Sequence, residues 1–398
     1  MESSRRGSLR LLLLVQVIFW LRGGILAPVL PLFIRGMGVT LTEIGLLMMV
    51  ESMGWAIFEP IFGMVTDRLG KKRLIIYSIV ATSLIYPSYT LVSSVWQLYL
   101  IYFAMSSNMA AGAVATRAMT IELLPTSGRG KTYGRYMATM SMGQILGPFL
   151  GGFLADTLGN TVPFYVSGGL GILSLAATLP MRYEERLGDK VSSVAASSRS
   201  RLLTRPFLLL LLVRLLYMFP TNFQRSCLPI FLHESQSFGA SESQIGVCMT
   251  ISLFASSLSQ LFLGSLSDKV GSKKLVIAGL SLGGLNYLGL VYFSGLLPLY
   301  FLWVFQGVSF AAVDLSMMIY LMTIIPEGSS GRAMGTYGFS EDIGGMIASP
   351  SLGMIYDRAG PLFAVLSVST VMMCGAALST LLPRDVEEKE NPAKKTAD

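Results

Sequence analysis

Residues 63–72 read GMVTDRLGKK, and residues 264–273 read GSLSDKVGSK. Both are small charged turns between long apolar runs, and they stand 201 residues apart. The spacing returns elsewhere. LLPTSGRGKTYG, with Pro125 and Gly134, is answered by IIPEGSSGRAMG, with Pro326 and Gly335. GPFLGG at Gly147–Gly152 is answered, one residue later in register, by SPSLGM at Ser349–Met354. Three landmarks in one order mark an internal duplication, of the kind that relates parallel halves about an axis along the membrane normal.

The surroundings of the turns set the class. Of 398 residues, 52% are hydrophobic and only 13% are charged, against about 25% charged in a soluble globular domain. Apolar runs lie near 9–34, 41–62, 74–93, 97–122, 132–156, 162–181, 206–232, 244–264, 275–295, 297–325, 333–356 and 361–383. A bilayer-spanning helix needs about 20 such residues. The pattern predicts an all-α membrane protein of twelve transmembrane helices in two pseudo-symmetric six-helix bundles. The bundles are expected at 1–181 and 206–383, joined by a polar cytoplasmic linker at 182–205 and followed by a cytoplasmic tail at 384–398. The first run, from Leu9 past Arg22 to Ile34, is too long for a signal-peptide core and reads as a retained span.

Basic residues in short loops mark the cytoplasmic side. Arg5, Arg6 and Arg10, the 68–73 turn, Arg129 and Lys131, the linker, Lys269–Lys274, Arg332 and the tail all fall on one side, while the other offers Arg35 and Arg358. Both termini are therefore expected in the cytoplasm, with the chain in the plasma membrane of a bacterium or archaeon. The formal charge of +7 is accounted for by these topology signals rather than by a nucleic-acid partner. Cys227, Cys248 and Cys374 lie in apolar segments and the single His233 in a polar loop, a pattern that supports neither a disulfide frame nor a metal site. No G-x-x-x-x-G-K-[ST] loop occurs. The driving force is then an ion gradient or the substrate's own gradient, with no cofactor and no enzymatic reaction expected.

With these residues in place, the chain resembles the major facilitator superfamily over essentially its whole length. Gly63, Asp67, Arg68, Gly70, Lys71 and Lys72 resemble the family's signature loop, and Gly264, Asp268, Lys269, Gly271 and Lys273 its copy. Gly147, Pro148, Gly151 and Gly152 in span five, with PVLP at Pro28–Pro31, resemble the family's drug/proton antiporters. The resemblance implies alternating access, with the signature loop as a cytoplasmic gate. Asp67 would face the positive N-terminal end of span eleven, near Arg332; alternatively the loop only fixes topology and packing. One departure stands out. Family proton antiporters carry an arginine near the start of span four, and IYFAMSSNMAAG at 101–112 has none. Its repeat FLWVFQGVSF keeps Gln306 and Gly307 but lacks the arginine too.

Ionisable groups at membrane depth are costly and usually face the bundle interior or a water-filled cavity. Arg22 lies mid-span in span one and Glu51 at similar depth in span two, so the two antiparallel spans can bring them together. Such a pair either alternates between ionised and protonated states, coupling transport to protons, or stands as a fixed ion pair. Glu59 follows on the same helical face as Glu51. Arg117 and Glu122 lie toward the inner end of span four, Arg214 and Arg225 in span seven, Asp314 in span ten, and Glu341 and Asp342 in span eleven. Asp314 is the second coupling candidate, and the arginines either pair with these acids or bind anions. Trp20, Trp55, Tyr217, Phe219, Tyr320, Met53 and Met109 can form an adaptable pocket wall.

The expected activity is proton-coupled efflux of small amphipathic organic compounds by a monomer whose partners are substrate, protons and lipid. The alternatives are an uptake or exchange carrier for organic carboxylates or phosphates, and a non-transporting membrane receptor. A uniporter or lipid flippase also stays open.

Overall fold

Helix ends, more than the predominantly apolar helix interiors, set this architecture. The structure is a computed structural model that describes residues 2–123, 129–181, 204–325 and 330–383, without the side chains of 2–6, Asp67, Ile121, 129–137 and 330–331. Residues 182–203 of the expected linker, the tail and the side chain of Asp67 thus lie outside the described residues, while Arg205, expected in the linker, opens the helix Arg205–Arg225. The described elements are α-helices and one short 3-10 turn at Tyr89–Leu91. In chain order the first seven are α1 (Glu2–Leu26), α2 (Val29–Gly36), α3 (Leu41–Leu69), α4 (Lys71–Ser88), α5 (Val95–Leu123), α6 (Arg129–Leu158) and α7 (Val162–Thr178). The second seven are α8 (Arg205–Arg225), α9 (Cys227–Glu234), α10 (Glu242–Val270), α11 (Ser272–Tyr292), α12 (Leu296–Ile324), α13 (Ser330–Ala359) and α14 (Pro361–Ser379).

Fourteen helices among the described residues make twelve spans because the first span breaks before Pro28, between α1 and α2, and the seventh at Ser226, between α8 and α9. Among the described residues, nine segments are long and apolar enough to cross a membrane on those two criteria alone. The remaining three are α7, which has 17 residues, and the 30-residue α6 and α13. The latter two carry the conserved-offset glycine and proline motifs and the charges Arg129, Lys131, Glu341 and Asp342, which dilute their hydropathy.

Contacts gather the chain into two units, Met1–Val191 with Arg225–Thr250, and Ser192–Gln224 with Ile251–Asp398. In the first, α1 packs on α6 and α7, α3 on α5, and α4 on α5 and α7. Its apolar core joins Leu12 and Val15 of α1 with Leu74, Ile75 and Ile79 of α4 and Ala111, Ala115 and Met119 of α5. In the second unit α11 packs on α12 and α14.

The duplication reaches the level of single contacts. Gly70 ends α3 at φ +91° and Gly271 ends α10 at φ +93°, a region strained for any residue with a Cβ. Gly159 and Gly360 repeat the device between the next helices at φ +103° and +97°. Ser78 Oγ donates to the carbonyl of Asn108 at 2.6 Å, tying α4 to α5. At the duplicated positions the donor changes sides: Ser309 Oγ donates to the carbonyl of Gly279 at 2.7 Å, tying α12 to α11. A Cβ on Gly168 would press on the carbonyl of Ser83. In the second half it is Ser369 that donates, to the carbonyl of Gly284 at 2.7 Å.

The glycines of the signature turn are not equivalent: a Cβ built on Gly63 meets nothing within 4 Å, and the same is true of Gly264. The positive-φ turn at Gly70 and Gly271 is where glycine is required.

Candidate functional site

In the first unit the charges sort into pairs. Arg225 Nη2 donates to Glu51 Oε1 at 2.8 Å, Arg117 Nη1 to Glu59 Oε1 at 3.0 Å, and Lys71 Nζ lies 2.9 Å from Glu122 Oε1. The expected Arg22–Glu51 pair is not formed. Arg22, 1% exposed, donates from Nε to the Ser167 carbonyl at 2.7 Å and from Nη2 to Ser83 Oγ at 3.0 Å. Its guanidinium also lies 5.1 Å from the ring centroid of Tyr86. The reason is packing: α1 sits against α6 and α7, whereas α3 sits against α5, so chain neighbours are not contact neighbours here. Gly171 leaves room for this arrangement, since a Cβ there would strike Ser83 Oγ and come within 3.1 Å of Arg22 Nη2. Ser167 Oγ returns a bond to the Arg22 carbonyl at 3.1 Å, which clamps α1 to α7.

The GPFLGG helix, α6, works on two faces. On one, Gly143, Gly147 and Gly151 meet the backbone of α1 at Val17, Gly24 and Ile25, with no room for a Cβ. On the other, Gly152 meets the backbone of Glu242 and Ser243, and Gly246 meets the carbonyl of Pro148. Thr250 Oγ1 donates to the Ile145 carbonyl at 2.9 Å along the same line. Small residues thus let three helices approach at backbone distance. At the end of this seam Asp156 Oδ2 accepts from Ser241 Oγ at 2.7 Å and from the Ser243 N–H at 3.0 Å. A carboxylate of α6 therefore caps the N-terminus of α10, a partner set the sequence reading missed.

The second unit holds the densest charge cluster. Arg214 of α8 is buried, with its side chain 10% exposed, and donates from Nη1 to Asp314 Oδ1 of α12 at 2.6 Å. From Nη2 it donates to Glu341 Oε2 of α13 at 2.7 Å. The Tyr217 hydroxyl donates to Asp314 Oδ2 at 3.2 Å. The guanidinium lies 5.5 Å from the Tyr217 ring and 5.1 Å from the Tyr337 ring, distances at which a cation is attracted to the aromatic face. Tyr337 was not singled out from sequence, although it stands one helical turn before Glu341 on the same face. Asp342 is half-buried beside them.

The signature turn has a partner that its sequence did not reveal. Lys72 Nζ donates to the carbonyls of Leu179 and Met181, at 2.8 Å each, beyond the end of α7. Lys273 Nζ does the same in its own half, to Thr380 at 2.7 Å and to Leu382. Each lysine satisfies carbonyls that a helix end leaves without partners. Arg68, Asp268 and Lys269 are exposed. Of the expected pocket wall, Tyr217 reaches the cluster, while Tyr320 is 1% exposed and bonds to the Pro383 carbonyl at 3.2 Å.

Away from these charges, a cavity of about 310 Å³ is lined by Leu32, Arg35, Gly36, Asn160, His233, Glu234 and Glu242. Arg35 pairs with Glu234 there at 2.8 Å, and His233 Nδ1 bonds to the Ala240 carbonyl at 3.0 Å. Among the described residues no group of His, Cys, Asp and Glu is placed to hold a metal ion.

The architecture has known counterparts. The structure of the nucleoside transporter NupG superposes at a TM-score of 0.75 with 14% identity, covering 94% of this chain and 97% of that one. A bacterial homologue of the human lysosomal transporter Spinster, inward-facing and occupied, gives 0.77 with 15% identity over 94% and 96%. Among sequences, the quinolone resistance protein NorA of Staphylococcus aureus is 29% identical over 165 residues, 41% of this chain and 42% of NorA. The multi-drug resistance efflux pump PmrA of Streptococcus pneumoniae is 26% identical over 264 residues, 64% of this chain and 65% of PmrA. The matches thus span less than two thirds of either relative. The sequence profile of the Major Facilitator Superfamily matches residues 12–235 and again 215–397, together covering nearly the whole chain. A helical membrane protein duplicated in this way, with a signature turn in each half, belongs to the major facilitator superfamily.

Proposed function

We propose that the chain is a proton-coupled exporter of small amphipathic organic compounds, a drug/proton antiporter that alternates access as a monomer with both termini in the cytoplasm. The observation that carries the reading is the Arg214–Asp314–Glu341 cluster, in which two carboxylates share one buried guanidinium. Its formal charge of one cation and two anions leaves an excess negative charge at membrane depth. Protons or a cationic group on a solute relieve that excess, and an acid in this position is characteristic of proton pathways. The partial likeness to NorA and PmrA supports export in the same direction.

An organic-anion carrier would need a guanidinium open to a carboxylate or phosphate. Arg214 and Arg225 are neutralised by acids, and Arg22 is sealed by Ser83, Ser167 and Tyr86. In this reading the signature turns act as the cytoplasmic gate, with Asp67 as its acid. The test is reconstitution into vesicles that hold a lumenal pH dye. Adding norfloxacin or ethidium under a proton gradient is expected to move protons; proton movement with simple carboxylates or phosphate only would overturn the assignment.

A further inference from the structure

We propose that Glu341, rather than Asp314, is the carboxylate that takes up the proton, and that protonation releases α13 from α8 while α12 stays tied. This rests on the proton-coupled reading above and assigns roles within its cluster.

The two acids are held differently. Both oxygens of Asp314 are engaged, Oδ1 by Arg214 and Oδ2 by the Tyr217 hydroxyl. Glu341 is held through Oε2 alone. Its Oε1 has no hydrogen bond among the described residues, and since the two side chains are similarly exposed, 47% for Glu341 and 51% for Asp314, the bonding pattern is what separates them. Each oxygen of Asp314 is already occupied by a donor, whereas Oε1 of Glu341 is an open position at which a proton can sit. Arg214 shows the same asymmetry, since its Nε is buried without an acceptor. The contact to Glu341 is therefore a single bond between two groups that each keep a position in reserve.

Charge balance gives the same order. With Glu341 protonated at Oε1, Arg214 and Asp314 remain as a neutral pair, still braced by Tyr217 and by the rings of Tyr217 and Tyr337. With Asp314 protonated instead, the pair that remains would lack the tyrosine donor. The charged groups around the site are few. Arg214 and Tyr217 face it from α8, Asp314 from α12, and Tyr337 stands beside it on α13, with Asp342 as the next residue. Helix α14, which packs on α13, carries no Asp, Glu, Lys, Arg or His.

Loss of the charge on Glu341 removes the ion-pair attraction and leaves a hydrogen bond in which only Arg214 is ionised, a weaker tie than the salt bridge. One turn further along, Gly344 lies against Met218 of α8 with no room for a Cβ. That contact is apolar and indifferent to protonation. It can serve as the pivot about which the Glu341 end of α13 moves.

The test reads the motion without needing a substrate. Spin labels are placed at Leu208→Cys on α8 and Met334→Cys on α13, both exposed positions, in a background with the three native cysteines replaced. The label distance is followed by pulsed electron resonance in lipid nanodiscs as pH falls. The expected result is a distance shift that Glu341→Gln abolishes and Asp314→Asn retains. A shift that survives Glu341→Gln, is lost in Asp314→Asn, or is missing before either substitution overturns the proposal. If Glu341→Gln does not yield folded protein, Glu341→Asp carries the test: its shift must persist with a displaced midpoint, and an unmoved midpoint overturns the assignment. Norfloxacin-driven proton flux in vesicles is measured on the same preparations. Absent flux with an intact shift rejects the exporter but keeps Glu341 as the proton site; flux that survives Glu341→Gln rejects Glu341 but keeps the exporter.

Discussion

Asp156, in the last turn of α6, accepts the backbone N–H of Ser243 at 3.0 Å and so caps a helix to which it does not belong. The same oxygen takes the hydroxyl of Ser241, itself the residue before α10. Helix N-termini present unpaired N–H groups and a positive dipole end, and a carboxylate answers both. Asp156→Ala should therefore lower stability by about 1 kcal/mol, in the range of a lost N-cap. Asp156→Asn, which keeps an acceptor but not the charge, should lose less. Thermal unfolding in detergent with an intrinsic-fluorescence readout separates the two.

The signature turns make a prediction that distinguishes glycines of the same motif. Gly70→Ala and Gly271→Ala place a Cβ at φ +91° and +93° and should each cost about 1–3 kcal/mol. Gly63→Ala and Gly264→Ala add a methyl group to open space and should be neutral or slightly stabilising. Equal losses at all four positions would show that the motif's glycines serve a conformation other than the one described.

Lys72 and Lys273 each hold two carbonyls at the close of the last helix in their own half. Lys72→Met and Lys273→Met keep the apolar stem and remove the donor, so each should destabilise by about 1 kcal/mol. The two effects should add, because the residues share no partner. Hydrogen exchange should localise the first loss to the end of α7 and the second to the end of α14.

Arg22 and Glu51 should behave as parts of different structures. Arg22→Lys cannot reproduce a planar fork that reaches Ser167 and Ser83 from separate nitrogens, and it should lower the unfolding temperature while leaving the pH profile of transport in place. Glu51 should couple to Arg225, with a double-mutant cycle giving about 0.2–1 kcal/mol, as expected for a pair with one exposed partner. A larger coupling between Glu51 and Arg22 would contradict the packing described here.

How much of this was legible depended on the range of the interaction. Span count, duplication and signature turn follow from local apolar runs and from a fixed offset, and both appear in the linear chain. So did the identity of the charged residues, since a charge inside an apolar run is conspicuous. Their pairing was not legible. The sequence reading joined Arg22 to Glu51 because spans one and two are consecutive, but α1 turns to α6 and α7, and Arg22 finds a serine carbonyl instead. The Arg214 cluster draws on α8, α12 and α13, over sequence separations of 100 and 127 residues, and no local pattern encodes such a meeting. The caps made by Lys72 and Asp156 were hidden for the same reason, although Lys72 is conspicuous in the signature turn.

The exchanged hydrogen bonds between the halves have a consequence for how this protein can be altered. At Ser78 and Gly279 the duplicated position is hydroxyl-bearing in the first half and bare in the second, while at Asn108 and Ser309 only the second half carries the hydroxyl. A graft that copies one position from half to half would put two hydroxyls, or none, where the fold has one. A graft that copies both together would keep the bond. What the duplication has handed down is the contact and not the letter, so half-to-half chimeras of this chain should be cut between contacts rather than between columns of aligned residues.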